Sequence, residues 1–257
     1  MSGTWADLAE LSYPAVAELL ARAERKIAVI PVGSVEAHGP HLPLMTDTII
    51  SVEVALRAVR ELASQGYVAV RFPAIHYSVT DWAKSFAGTV SIASSTSEAL
   101  VVETAAAAKA MGFDRIVLTN AHLEPGHIAT LRNATARFGD ALVFPDKTRR
   151  KQAQRLTPEF QSGSCHAGQY ETSLVLAIRP ELVDLTRAQS LPAHVVPLHE
   201  RIAAGARDFA DCGLDQAYCG DPAHASAQEG EQTLAVLVAM VVEAVEASFP
   251  DAREAPL

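Results

Sequence analysis

The chain has 257 residues, of which 49% are hydrophobic, 20% are charged and 6% are aromatic. This apolar content is ample for a core and excludes collagen-like, low-complexity and intrinsically disordered chains. The formal net charge of −9, without any basic stripe, argues against a protein that binds the phosphate backbone of nucleic acids.

Strand and helix patterns alternate along most of the chain. Short apolar runs rich in β-branched residues predict four buried strands, at 26–34, 67–75, 115–120 and 141–145. Helix-start residues, alanine-rich stretches and terminal glycines predict four helices, at 46–65, 97–112, 125–138 and 230–249. The alternation predicts an α/β fold, with a mostly parallel sheet between helices, in a single domain over residues 1–257.

The cysteines and the apolar segments indicate the cellular setting. Cys165, Cys212 and Cys219 are an odd number in a long chain, so we expect no disulfide framework and a reducing, cytoplasmic environment. The N-terminus lacks the pattern of a signal peptide. The longest apolar run, from Leu234 to Val242, is shorter than the ~20 residues that span a bilayer, so we expect no membrane partner.

Histidines and carboxylates follow two of the predicted strands, at the ends where α/β folds bind ligands. Glu36 and His38 come after the first predicted strand, and His122 and Glu124 come after the third. Residues two apart on extended backbone point to the same side, so each pair can face one site. Asp47, at the start of the first predicted helix, is a fifth potential ligand.

These five side chains are of the types that bind Zn²⁺ or Mn²⁺, because they offer imidazole and carboxylate without thiolate. Three carboxylates match two divalent ions with one bridging carboxylate better than they match one zinc ion. Each pair alone is usually a surface or capping pair, and Asp47 alone is usually a helix-terminus acid. All five in one predicted crevice favour a metal centre.

The segment PVGSVEAHGPHLPLMTDT, which contains the first pair and Asp47, resembles the opening motif of the creatininase (creatinine amidohydrolase) family. Later segments resemble further motifs of that family in the same order: FAGTVSI at 86–92, HAGQYETS at 166–173 and YCGDPAHASAQEGE at 218–231. The resemblance extends over residues 26–245. It implies a three-layer α/β/α domain, assembly as a homohexamer, and a two-metal centre that hydrolyses amide C–N bonds.

The resemblance also implies a ligand set. Glu36, Asp47 and His122 would bind one metal ion. His38, Asp47 and Glu124 would bind the other, so that Asp47 bridges the two. The expected cofactors are two divalent ions, Zn²⁺ and/or Mn²⁺, with Fe²⁺ as an alternative.

The later motifs supply candidates for proton transfer. His166 matches the family's His-Ala-Gly histidine, which contacts substrate and moves protons, a role that suits an imidazole. Glu171 is expected on a helix that starts near Gly168, as a proton carrier, a metal ligand or a support for the ligands. His41 either supports the ligands by hydrogen bonding or only packs in its turn.

The reaction implied is hydrolysis by a hydroxide held between two metal ions, about 3.5–4 Å apart, that attacks a polarised amide carbonyl. His166 would pass a proton to the leaving nitrogen, with Glu124 or Glu171 assisting. The expected catalytic residues are therefore His166, Glu124 and Glu171.

The expected substrate is a small cyclic or linear amide other than creatinine. Creatininases close tryptophans over creatinine from the region before the His-Ala-Gly motif, whereas that region is QSGSCHAG here and no tryptophan follows Trp82. Leu123 stands where creatininases have an aromatic residue, and a flat cationic ring gains from aromatic faces. Trp82 and Lys84 lie in a loop that could cover the site. Leu123, Trp82 and His166 are the expected substrate contacts.

Two alternatives to a small-amide hydrolase stay open. One is a peptidase-like family member that trims a modified peptide in cofactor maturation, which would have an open groove rather than a closed pocket. The other is a non-catalytic metal-binding assembly protein, which would be expected to lose a ligand, whereas all five positions are filled here. The expected partners are an amide substrate and further copies of this chain, without nucleic acid.

Overall fold

The computed structural model describes residues 3–249, and at its centre is a five-stranded sheet. All neighbouring strands run parallel, in the order β1-β3-β2-β4-β5. The strands are β1 (Thr4–Asp7), β2 (Lys26–Val32), β3 (Val68–Arg71), β4 (Arg115–Asn120) and β5 (Leu142–Val143). The predicted α/β class and parallel sheet are confirmed.

Helices cover both faces of this sheet. Those of the described chain are α1 (Tyr13–Leu20), α2 (Thr46–Ser64), α3 (Ser94–Ala110), α4 (Pro125–Phe138), α5 (Arg150–Ala153), α6 (Pro158–Ser162), α7 (Gln169–Ile178), α8 (Leu185–Ser190), α9 (Leu198–Ala203) and α10 (Ala227–Ala247). The four predicted helices correspond to α2, α3, α4 and α10.

Alternating side chains of β2 enter two separate cores. Ile27 and Val29 pack with residues of α2, α7 and α10 on one face. Ala28, Ile30 and Val32 pack with residues of α3 and α4 on the other. Because both faces of a central parallel strand are buried, the strand reads as a continuous apolar run rather than as an alternating one. The three-layer arrangement is thereby confirmed.

The second predicted strand is shorter than the 67–75 pattern indicated. Pro73 has no N–H to donate to the ladder, so β3 ends at Arg71. Pairing with β2 resumes only as an isolated bridge between Ile75 and Val32. The edge strand β1 was not predicted, because its four residues are mostly only half buried and carry no apolar run.

The register of the sheet determines where the site lies. Val32, the last residue of β2, pairs with Asn120, the last residue of β4. The two central strands therefore end at the same level, and segments 33–38 and 121–124 leave the sheet side by side. This is the edge at which parallel α/β folds bind ligands.

The connection from α8 to α10 forms a third apolar cluster beside this edge, built around Phe209, Leu214 and Cys219. It packs against Ala83 and Trp82 of the loop that follows β3. Within residues 3–249, no helix has both the length and the apolar character that a membrane crossing needs.

Helix α10 approaches α7 closely at Gly230. A Cβ atom at this position would lie 1.9 Å from the backbone oxygen of Ser173, far inside van der Waals contact. We expect Gly230→Ala to lower the free energy of unfolding by about 1–3 kcal/mol, because the two helices must move apart. Denaturant unfolding measures the change. Gln232→Ala, at an exposed position of the same helix, is the control and should have little effect. A Gly230→Ala variant as stable as the parent chain would contradict this packing.

Candidate metal centre

Five buried ionisable side chains converge at the carboxyl ends of β2 and β4. Glu36 and His38 follow β2, Asp47 lies in the first turn of α2, His122 follows β4, and Glu171 lies in the first turn of α7. None of the five is more than 3% exposed. Four of the five predicted ligands are therefore brought together, and Glu171 joins them.

The distances within the cluster define two neighbouring sets of ligand atoms. His122 Nδ1 lies 3.3 Å from Glu36 Oε1 and 3.1 Å from Asp47 Oδ2. His38 Nε2 lies 3.6 Å from Asp47 Oδ1 and 3.7 Å from Glu171 Oε2. Asp47 thus presents one oxygen to each histidine, which is the arrangement of a bridging carboxylate. Glu36, Asp47 and His122 form one group that could hold an ion, and His38, Asp47 and Glu171 form another.

Backbone hydrogen bonds set the tautomer of each histidine in the cluster. His38 Nδ1 donates to the carbonyl of Glu36 at 3.1 Å, and His122 Nε2 donates to the carbonyl of Val79 at 2.7 Å. The other ring nitrogen of each residue then faces the carboxylates, where it can carry a proton or bind a cation. His38 Nε2 is buried without a hydrogen-bond partner in the described chain. A buried ring nitrogen that has no hydrogen-bond partner and faces carboxylates fits a site for a bound cation.

Further hydrogen bonds orient the carboxylates. Ser34 Oγ donates to Asp47 Oδ2 at 2.6 Å, and the Thr80 hydroxyl donates to Glu36 Oε2. The backbone N–H of Ala167 donates to Glu171 Oε2 at 2.7 Å. Neither Ser34 nor Thr80 was predicted from the sequence. The position of Ser34, two residues after β2, could have marked it as part of the site, whereas Thr80 lies in a loop and no sequence pattern marks it.

Burial and the charges of neighbouring side chains shift the pKa values of the residues in the cluster. Burial alone would lower the pKa of His38, but the carboxylates of Asp47, Glu171 and Glu36 raise it to about 10. The pKa of His122 is raised well above its ordinary value, because the carboxylates Glu36 and Asp47 outweigh burial. Burial raises the pKa of Glu171 to about 7. Without a metal ion, imidazolium protons balance the buried carboxylates, and a divalent cation would take over that role.

Glu124 lies outside both ligand groups, although the family resemblance implied a place for it beside His38 and Asp47. Its two oxygens accept hydrogen bonds from the backbone N–H groups of Asp81 at 3.1 Å and Trp82 at 3.2 Å. These bonds hold the carboxylate in the wall of the cavity, and burial raises its pKa. Glu171 occupies the place beside His38 instead.

A cavity of about 490 Å³ opens over the cluster, and the predicted substrate contacts Trp82, Leu123 and His166 line it. The ring of His166 lies 4.5 Å from the ring of Phe209, and its Nε2 donates to the carbonyl of Ala37 at 3.0 Å. Burial, followed by the charge of His38, lowers the pKa of His166 to about 4, so its imidazole is neutral near pH 7. Its Nδ1 lies 3.9 Å from Glu36 Oε1 and faces the cluster.

The remaining candidates lie around this centre rather than in it. His41 Nε2 is 2.9 Å from the hydroxyl of Thr172, so His41 supports the first turn of α7 next to Glu171. Lys84 is exposed and does not line the cavity. Cys165 lines the cavity, but burial raises the pKa of its thiol well above the ordinary value, so a thiolate nucleophile is disfavoured.

Comparisons with known proteins show the family to which the chain is related. A family model described as creatinine amidohydrolase matches residues 9–245. The chain is 31% identical over 230 residues to the mycofactocin precursor peptide peptidase of Mycolicibacterium smegmatis, covering 88% of this chain and 86% of that protein. It is 28% identical over 244 residues to the creatinine amidohydrolase of Pseudomonas putida, covering 87% and 90% of the two chains.

A solved structure has the same fold. The structure described as creatininase Mn superimposes with a TM-score of 0.71 at 24% identity, covering 96% of this chain and 100% of that one. The match of the family model, which spans most of the chain, shows the relationship that the motifs indicated. This chain belongs to the creatininase family.

Proposed function

We propose that this protein is a hydrolase that cleaves an amide C–N bond with two divalent metal ions. Glu36, Asp47 and His122 hold one ion, and His38, Asp47 and Glu171 hold the other. The observation that carries the proposal is the buried Asp47 carboxylate, whose two oxygens face ring nitrogens of two different histidines. The donor set of imidazoles and carboxylates suits Zn²⁺ and/or Mn²⁺, with Fe²⁺ as an alternative.

Bound at these residues, two such ions would supply Lewis-acid polarisation of an amide carbonyl and activation of water near neutral pH. The chain's own residues provide the proton transfers. Neutral His166 directs Nδ1 toward the cluster, where it accepts a proton and returns it to the leaving nitrogen. Glu124, fixed in the wall by two backbone N–H groups and with a raised pKa, assists as a second proton carrier.

The residues that line the cavity bear on the choice of substrate. Leu123 and Trp82 contribute apolar surface, and Trp82 packs edge-on against Phe209 with 6.0 Å between ring centroids. Phe160 and Phe209 line the cavity as well, so aromatic faces are present, but Leu123, beside His122, offers none. We keep a small cyclic or linear amide other than creatinine as the substrate class, because no tryptophan follows Trp82 in the chain.

A short peptide is the second candidate substrate. Two observations favour it: the cavity continues well beyond the metal cluster, and a relative with 31% identity is a peptide peptidase. A non-catalytic role is disfavoured, because every ligand position holds a residue able to bind a metal ion.

The cellular setting stays as proposed from the sequence. Cys165, Cys212 and Cys219 are all unpaired and buried, which suits a reducing cytoplasm. A homo-oligomer, and specifically the homohexamer that the family resemblance implies, is part of the proposal. Its test is the mass of the purified protein in solution.

Metal content separates the roles of Glu171 and Glu124. Protein purified without added metal or chelator should hold about two divalent ions per chain. Glu171→Gln should retain about one, because the second ion loses a charged ligand. Glu124→Gln should retain both and lose activity. Elemental analysis and a panel of cyclic amides, linear amides and short peptides measure the two properties.

The opposite pattern, with metal lost in Glu124→Gln and kept in Glu171→Gln, would return Glu124 to the ligand set. Parent protein that holds no metal and cannot be refilled would overturn the hydrolase proposal.

Metal uptake by chelator-treated protein should release protons. His38, with a pKa of about 10, is protonated at neutral pH and must lose that proton before it binds a cation. The metal affinity should therefore rise with pH through the neutral range and level off near the pKa of His38. Calorimetry in buffers with different ionisation enthalpies counts the protons.

His224→Ala, at an exposed histidine paired with Asp221, is the control and should release the same number of protons. An affinity that does not change between about pH 7 and about pH 9 would contradict protonated ligands.

His166→Ala should lower kcat by about 10²–10⁴-fold, because the leaving nitrogen loses its proton carrier. Its metal content should stay unchanged, which elemental analysis checks on the same sample. An unaltered kcat would remove the proton-transfer role. Loss of metal would make His166 a ligand, in the group that it forms with Glu36 and His38.

A further inference from the structure

The cavity extends away from the metal cluster along one face of α4. Glu124, Ile128 and Arg132 all line it, and residues four apart lie on the same side of a helix. Arg132 lies two turns into α4, about 10 Å along the helix axis from its first residue, Pro125. The cavity therefore has a reactive end and a remote end.

The two ends carry opposite charge. The carboxylates of Glu36, Asp47, Glu124 and Glu171 line the reactive end. Arg132 is the only lysine or arginine that lines the cavity among residues 3–249. Its side chain is 42% exposed, so the guanidinium remains accessible to a ligand.

The guanidinium is held in one orientation. Arg132 Nε and Nη2 donate to Asp146 Oδ2 at 2.9 and 2.7 Å, and Nη2 also donates to the hydroxyl of Thr148 at 3.0 Å. Within the described chain, Nη1 has no hydrogen-bond partner. A fixed planar guanidinium with unused donors is well suited to bind a carboxylate.

Asp146 does not cancel the positive charge of this end. Its Oδ2 also lies 3.2 Å from Nε of Arg149, so one carboxylate is shared by two arginines. The cluster of Arg132, Asp146 and Arg149 therefore has a net charge of +1. An anionic group that approaches Arg132 would meet an unbalanced cation.

We propose that Arg132 forms a subsite for a carboxylate at the remote end of the substrate, while the scissile amide lies at the metal cluster. This inference rests on the proposed hydrolase function and specifies its substrate class.

The distance of about 10 Å along α4 between Pro125 and Arg132 equals about three residues of extended peptide. Ile128, Leu198 and Ile202 line the cavity as well and provide apolar contacts for the middle of such a substrate. A short peptide with a free C-terminal carboxylate has these features.

Binding of a matched pair of probes tests the subsite without the need for turnover. The probes are alkyl hydroxamates, which chelate metal ions, with either a carboxylate or a neutral carboxamide at the far end of a chain of varied length. Calorimetry measures Kd with manganese-loaded protein. In the parent protein, the best carboxylate probe should bind at least about tenfold more tightly than its carboxamide partner, as expected for a hydrogen bond between charged groups.

Arg132→Met should abolish this preference and leave the carboxamide affinity unchanged. Arg137→Met is the matched control, because Arg137 lies on the same helix and pairs with Glu98 but does not line the cavity, and it should keep the preference. Thermal unfolding and metal content of both variants show whether the fold and the metal centre are intact.

Three results would overturn the subsite, each in a distinguishable way. Equal binding of the two probes to the parent protein would remove the subsite and leave the metal centre standing. A preference that persists in Arg132→Met would place the anion elsewhere. Failure of the protein to take up manganese would reject the metal centre itself, and the subsite with it.

Discussion

The site depends on the carboxylate of Asp47, buried between the imidazoles of His38 and His122. A buried carboxylate is costly unless positive charge and hydrogen bonds compensate it. Here one oxygen faces each histidine, and Ser34 donates a hydrogen bond to the carboxylate. The start of α2 is tied to the end of β2 by the hydroxyl of Ser51, which donates to the carbonyl of Val32. The position of the carboxylate is therefore set by the packing of α2 on the sheet.

A parallel sheet brings the other groups to this point. Because β2 and β4 end in register, the residues that follow them share one crevice, and α4 leads from that crevice across the protein. One helix thereby joins the two ends of the cavity. The residue that precedes it, Glu124, lies in the wall near the metal cluster, and Arg132 lies two turns further on. In the proposed function, a rigid element joins the site of reaction to the site of recognition and keeps their separation constant.

The connection from α8 to α10 completes the reactive end of the cavity. It places Phe209 against the ring of His166. It also contacts the segment that follows β2, where the backbone N–H of Gly39 donates to the carbonyl of Ala217 at 2.7 Å. Ala217 has a φ of 50°, a conformation that is unfavourable for a residue other than glycine. Strain of this kind persists where the surrounding contacts hold it, and it is common beside active sites.

Local sequence alone was sufficient for much of this protein. The apolar runs of β2 and β4 and the starts of α2 and α4 followed from short-range patterns. The pairing of Glu36 with His38 needed only the geometry of extended backbone. Tertiary structure decided the rest. Whether Glu124 or Glu171 stands beside His38 depends on how the first turn of α7 packs against the sheet, and on the loop N–H groups that hold Glu124. Those contacts join residues far apart in the chain, so no local pattern encodes them.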